Sequence, residues 1–279
     1  MAGPTSSKPP STPAEKEHLR VMRELRQQGQ AALTWGLPNP ASEAAVLGMG
    51  LLMRDRLAAG TDDDRATGAA ALAAAMLDRT VQKMPQASSY QCAKGCNFCC
   101  YSAVSVTAPE LFRVVRLIGV EGAPAGLDRA GTLARATART KAEKEGVLMG
   151  RPPCPLLIEG DCSVYADRPL GCRQFVSTNL EGCRTAHASG RSDLPFVPAA
   201  ANAGLIIRSL LLGAVVSIGQ KAETYELSSG LAVVLAEPDA ERRWLAGEDV
   251  LAAVPKMEQP PNMRESVARW SGMLNGLFV

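Results

Sequence analysis

All eight cysteines of this 279-residue chain fall between Cys92 and Cys183. The first four are packed into Cys92-Ala93-Lys94-Gly95-Cys96-Asn97-Phe98-Cys99-Cys100, a C-x3-C-x2-C-C run, and Cys154, Cys162, Cys172 and Cys183 follow at wider gaps. Cysteines used as small core hydrophobes would scatter along the chain. A disulfide framework belongs to oxidising compartments and short secreted scaffolds, whereas residues 1–14 lack the apolar stretch of a signal peptide. Clustered thiolates at two- and three-residue gaps suit a soft metal instead: zinc, iron or an iron–sulfur cluster. The expected ligands are Cys92, Cys96, Cys99, Cys100, Cys154, Cys162, Cys172 and Cys183, kept reduced in a cytoplasmic protein.

Two vicinal thiolates do not easily chelate one ion at tetrahedral angles, so Cys99 and Cys100 are expected to serve different metals, or one of them to bridge. Eight thiolates then make two four-cysteine sites or one multinuclear cluster. Short gaps and Gly95 leave backbone amides free to approach cluster sulfides, which favours iron–sulfur, and [4Fe–4S] in particular, over zinc. Such a centre is anionic, and Arg168, Arg173 and Arg184 stand beside the ligand cysteines where they can offset its charge. Tyr165 and Phe175 are expected to wall the site. The two histidines allow no Ser–His–Asp reading; His18 sits in a charged stretch, and His187 is an alternative ligand.

The second cysteine segment reads Cys154-Pro155-Leu156-Leu157, then Gly160-Asp161-Cys162-Ser163-Val164-Tyr165-Ala166-Asp167-Arg168-Pro169-Leu170-Gly171-Cys172-Arg173-Gln174-Phe175. Together with the Cys92–Cys100 run it resembles the YkgJ-like family, described as zinc- or iron-chelating, over roughly residues 90–185. The gap of three residues between Cys92 and Cys96 departs from the two of that family's short motif. The resemblance implies a metal site made by these cysteines, with arginines at positions 168 and 173 beside it, and leaves the reaction open. Cys92, Cys96 and Cys99 also fit the C-x3-C-x-aromatic-C pattern of radical S-adenosylmethionine enzymes, and flagellin lysine methylases resemble the family in their cysteine cluster. A structural zinc module that mediates protein interactions is the remaining alternative.

The rest of the chain reads as helix. Alanine and leucine dominate and aromatics make up 4%, which favours helix over sheet. Residues 1–14 are Pro-, Ser- and Thr-rich and read as a disordered tail. Residues 15–88 read as N-terminal helices, the first opened by a capping box at Thr12 and Glu15 with Leu19, Met22, Leu25 and Ala32 along one side. Residues 89–185 form an irregular cysteine-rich insert, and residues 186–279 are helices that pack on the N-terminal ones. Within the insert a helix begins at Thr107-Ala108-Pro109-Glu110, and Leu127–Glu145 reads as an exposed, charged helix. The apolar run from Pro198 to Ile218 is interrupted by Asn202, Arg208 and Ser209, so it is expected as a buried helix and not a membrane span. Tyr225–Ala236 reads as helix throughout. The fold class is thus mainly α. Thirty basic against 28 acidic residues give a net charge of +2, which offers nucleic acid no attractive field. Metal ions are the only partners the sequence names.

Overall fold

The computed structural model describes residues 12–38, 40–59, 64–145, 152–190, 193–237 and 239–278; of the tail expected at 1–14, residues 1–11 lie outside them, while Thr12 caps and Pro13 and Ala14 open the first helix. The fold is mainly α. In chain order the helices are α1 (Pro13–Trp35), α2 (Glu43–Ala58), α3 (Arg65–Gln82), α4 (Ala108–Val115), α5 (Arg129–Lys144), α6 (Leu170–Arg173), α7 (Leu180–Ala188), α8 (Pro198–Ser217), α9 (Leu227–Ala236), α10 (Ala240–Leu245) and α11 (Pro261–Gly276). Four short strands are β1 (Ser105–Thr107), β2 (Leu157–Ile158), β3 (Asp161–Cys162) and β4 (Thr224–Glu226). They form two antiparallel ribbons, β1 with β4 and β2 with β3.

The capping boxes form as the sequence implies. Thr12 Oγ1 accepts from Glu15 N at 3.2 Å while Glu15 Oε2 accepts from Thr12 N at 2.8 Å. These bonds satisfy donors that a helix N-terminus otherwise leaves open. Met22, Leu25 and Ala32 are buried along α1, but Leu19 is exposed. Leu19 sits too near the free end of α1 for a second helix to cover it. Helices α1 and α2 cross in near backbone contact at Gly29 and Gly48: a Cβ on Gly48 would stand 2.2 Å from Leu25 O.

Helix α8 is the centre of the bundle, packed by α2, α3 and α11. It is the one helix among the described residues that is long and apolar enough to cross a membrane, but most of its surface lies inside the fold. Ile207, Leu210, Leu211 and Ala214 are fully covered. Tyr225 and Glu226 correct the expectation of helix: they pair in β4 with Val106 and Ser105, and the helix starts only at Leu227. The ribbon joins the cysteine-bearing part of the chain to the C-terminal helices.

Candidate metal centre

The eight thiols come from five pieces of backbone that the fold draws together. Cys92 opens the tight run, and Cys99 and Cys100 lie on a single 3₁₀ turn, Phe98–Tyr101. Cys162 ends the β2–β3 hairpin, where it faces Leu157, and Cys172 lies in α6. Cys183 is buried on α7, which packs against the 3₁₀ turn. All eight cysteines are free.

Long-range hydrogen bonds fix these pieces. Ser177 N donates to Cys92 Sγ at 3.2 Å, Gln91 N donates to Ser177 O at 2.9 Å, and Leu180 N donates to Gln91 Oε1 at 2.6 Å. The start of the run is thereby tied to the entrance of α7. At the other end, Cys154 N donates to Cys100 O at 2.7 Å, and Asn97 Nδ2 donates to Gly160 O at 3.0 Å. Gly171, just before Cys172, stands where a Cβ would lie 2.9 Å from Ser105 O, so only glycine lets α6 approach β1 this closely.

The thiols are close enough for their charges to act on one another. The neighbours whose charge acts on Cys92 are Cys96, Cys99 and Cys183. Those acting on Cys172 are Cys154, Cys99 and Cys162, and Cys100 feels Cys154 and Cys172. Cys99 belongs to both sets. Burial pushes the Cys92, Cys96 and Cys162 thiols up, Cys154 up to about 11 and Cys172 well above the ordinary thiol value. Backbone N–H groups oppose that by favouring thiolate: Ser177 at Cys92, Phe98 at Cys96, Leu156 at Cys154 and Val164 at Cys162. Three of these four donors sit two residues after their cysteine. Cys99 is the exception to the upward trend. The Cys100 thiol donates to it and Arg168 stands near it, so its value is lowered while that of Cys100 is raised.

The arginines divide by role. Arg168 lies over the Tyr165 ring at 4.0 Å, and its charge reaches Cys99, Cys162 and Cys172. Arg173 is buried and spends its donors on Arg168 O, Ala166 O and the Asp78 carboxylate of α3, which staples the 166–173 loop to the bundle. Arg184 is exposed and paired with Glu181 at 2.9 Å, so it offers the thiols nothing. Phe175 does not wall the site with its ring, which is exposed against Phe196; its carbonyl lies near Cys92 Sγ. His187 sits one helical turn beyond Cys183 with its ring 4.5 Å from Tyr101 and 5.7 Å from Phe98.

Sequence reasoning missed Arg139. The helix α5 was expected to carry a solvated charged face, yet Arg139 is 1% exposed. Its Nη1 donates to Cys100 O and Pro152 O at 2.9 and 3.1 Å, and its Nη2 donates to Ser102 O at 2.7 Å. One turn earlier Arg135 donates to Pro155 O at 2.8 Å. Thr132, Ala136 and Arg139 are the buried stripe of α5; small residues three and four apart before an arginine were the available signal. Glu110 was read as a cap alone, but its second oxygen also accepts from Leu170 N at 2.7 Å, which anchors the start of α6. Arg208 is a further buried cation of α8, with Nε and Nη2 unpartnered, beside Gly171.

Among the described residues, no three Cys, His, Asp or Glu side chains converge closely enough to hold an ion as they stand. The thiols are soft donors, with amide N–H groups at four sulfurs and the charge of Arg168 acting on Cys99 and Cys162. What the structure defines is a helical bundle that carries a polar-stapled lobe with gathered thiols. No protein family model, curated protein or solved structure matches this chain.

Proposed function

We propose that the protein binds metal through its eight cysteines, as an iron–sulfur cluster, with [4Fe–4S] the favoured form, or as zinc or iron ions. The observation that carries this reading is the gathering of thiols from five separated pieces of chain, with N–H donors aimed at four of the sulfurs. Buried thiolates are costly without a cation nearby, and burial here holds most of the thiols protonated. A cation that displaces those protons gives the sulfurs a common attractor and ties the two halves of the segment together. The resemblance of Cys92–Cys100 and Cys154–Phe175 to the YkgJ-like family supports the same ligand set. A radical S-adenosylmethionine enzyme is the weaker reading, because the strands here form two small ribbons and not an alternating barrel.

The deciding measurement is made on anaerobically purified full-length protein. Visible absorption together with acid-labile sulfide is the expected result. A colourless protein with stoichiometric zinc and no sulfide would leave the ligand set in place and reassign the metal as structural. Protein that takes up neither metal, or whose native cysteines are mostly disulfide-bonded by mass spectrometry, would defeat both the metal reading and the cytoplasmic one.

A further inference from the structure

We infer that the small cavity where α3, α4 and the 167–170 stretch meet holds one water molecule, and that this water positions Arg168. The cavity measures about 10 Å³, the room one water-sized sphere needs. Ala70 and Ala74 of α3, Glu110 and Arg113 of α4, and Asp167 and Arg168 line it. Ala70 and Glu110 are 1% and 3% exposed, so its inner wall lies deep in the fold. Two of the lining side chains carry a buried N–H group without a protein partner, Nη1 of Arg113 and Nε of Arg168. A buried donor in that condition is costly, and a guanidinium cannot shed its proton to escape the cost.

The walls also decide which acceptor suits these donors. Two arginines are balanced there by two carboxylates, so a halide or other anion would bring an unmatched charge into the fold. A neutral group that accepts and donates meets every partner. Arg113 Nη2 already donates to Asp167 Oδ1, and Glu110 Oε1 accepts from Leu170 N. Each carboxylate still has lone pairs to spare for the protons of a water that accepts from Arg113 Nη1 and Arg168 Nε. Two bonds accepted and two given are a buried water's full complement. They tie α4 to the 167–168 turn and hold the Arg168 guanidinium where it lies, over the Tyr165 ring at 4.0 Å. The arrangement stands whether or not the thiols hold metal.

The test follows full-length protein carrying ¹⁵N-labelled arginine by NMR. In wild type the Nε–H of Arg168 is expected to exchange slowly and to show a cross-peak to long-lived water. Ala74→Val puts methyl groups in the water's place. It should abolish the cross-peak and lower the thermal midpoint by about 4 °C, because two donors are stranded. Overpacking by valine also lowers a midpoint, and Arg168→Met separates the two causes. With one stranded donor gone, Ala74→Val should cost about half as much in that background. An equal cost in both backgrounds would overturn the inference, as would a wild-type Arg168 Nε–H with no water cross-peak. A higher midpoint in Ala74→Val would show a dry cavity and overturn it too. So would an anomalous signal in the cavity of a crystal soaked in bromide, which would put a halide in the water's place.

Discussion

The bundle and the cysteine lobe share one apolar core but differ in the buried polar bonds that supplement it. Around α8 the contacts are apolar side chains with almost no solvent exposure, among them Met49, Leu51, Leu77, Leu210 and Leu211. Each such burial contributes about 1.5–3 kcal/mol, and does so without regard to direction. The lobe shares that core through Leu111, Phe112, Leu127, Leu156 and Leu170. It adds to them buried polar groups with backbone partners: Arg139 and Arg173 donate to carbonyls, and Glu110 accepts from Leu170 N. Hydrogen bonds to charged groups contribute only about 1.5–3 kcal/mol net, but they fix positions that apolar packing leaves free to drift. A site that must bring sulfurs from five pieces of chain to set places needs the second kind of support.

The largest effect that would break this contrast is expected at Arg139. Arg139→Leu strands the carbonyls of Pro152 and Ser102 in the interior, and loss of a buried, fully bonded charge costs about 3–5 kcal/mol. Denaturant unfolding measures the loss. Thiol labelling of the folded variant should show Cys100 and Cys154 reacting faster than in wild type. If Arg139→Leu leaves stability and labelling unchanged, the lobe is not held by polar staples.

Gly48→Ala is the matching blow to the bundle. Its new Cβ meets backbone at 2.2 Å, so α1 and α2 must separate, an overpacking cost of about 1–3 kcal/mol. Thermal unfolding should register it, while native-state labelling of the lobe thiols stays as in wild type. An equal rise in thiol reactivity would show that the two regions are one cooperative unit.

Glu226 joins the regions through β4, and there the expected effect is smaller and depends on pH. Burial raises its pKa above the ordinary carboxylate value; Ser229 N and Arg139 oppose the rise and Glu143 adds to it. The folded state therefore binds this proton more tightly than the unfolded one. Its contribution is full below the unfolded value, near pH 4.3, and is lost as pH rises through the folded value. Glu226→Gln keeps an acceptor for Ser229 N and abolishes that loss. Its stability relative to wild type should grow with pH above about 4.5; a constant difference across that range would refute the linkage.

The smallest effect marks the edge of the lobe. Arg184 and Glu181 form an exposed pair, and such pairs contribute about 0–1 kcal/mol. Arg184→Ala should leave both stability and metal content unmoved. A drop in metal content would restore Arg184 to the site.

What the residues disclosed in advance was local. The capping boxes at Thr12 and Thr107 form within four residues, so their chemistry is written in adjacent letters. The burial of α8 was readable because an apolar run broken by Arg208 suits a bundle interior better than lipid. Arg139 was not readable, since a charge on a polar helix is usually solvated and its carbonyl partners at 100, 102 and 152 announce nothing in sequence. Tyr225 and Glu226 misled for a similar reason: their strand exists only because β1 lies beside it. The thiol positions were legible as a set; that they meet depends on distant bonds such as Ser177 N to Cys92 Sγ and Cys154 N to Cys100 O.

The tie between Cys92 and Ser177 spans 85 residues of chain, and this has a consequence for synthesis. At about 5–20 residues per second the ribosome delivers Ser177 some 4–17 s after Cys92, so the first four thiols wait that long for their partners. Helix α8, which the bundle is packed around, emerges later still. The lobe therefore has its eight thiols and its β2–β3 ribbon before the bundle has its centre, whereas β4 and α9, which pair with β1 and pack on α5, follow α8. Its thiols are complete on the nascent chain while the rest of the molecule is still being made.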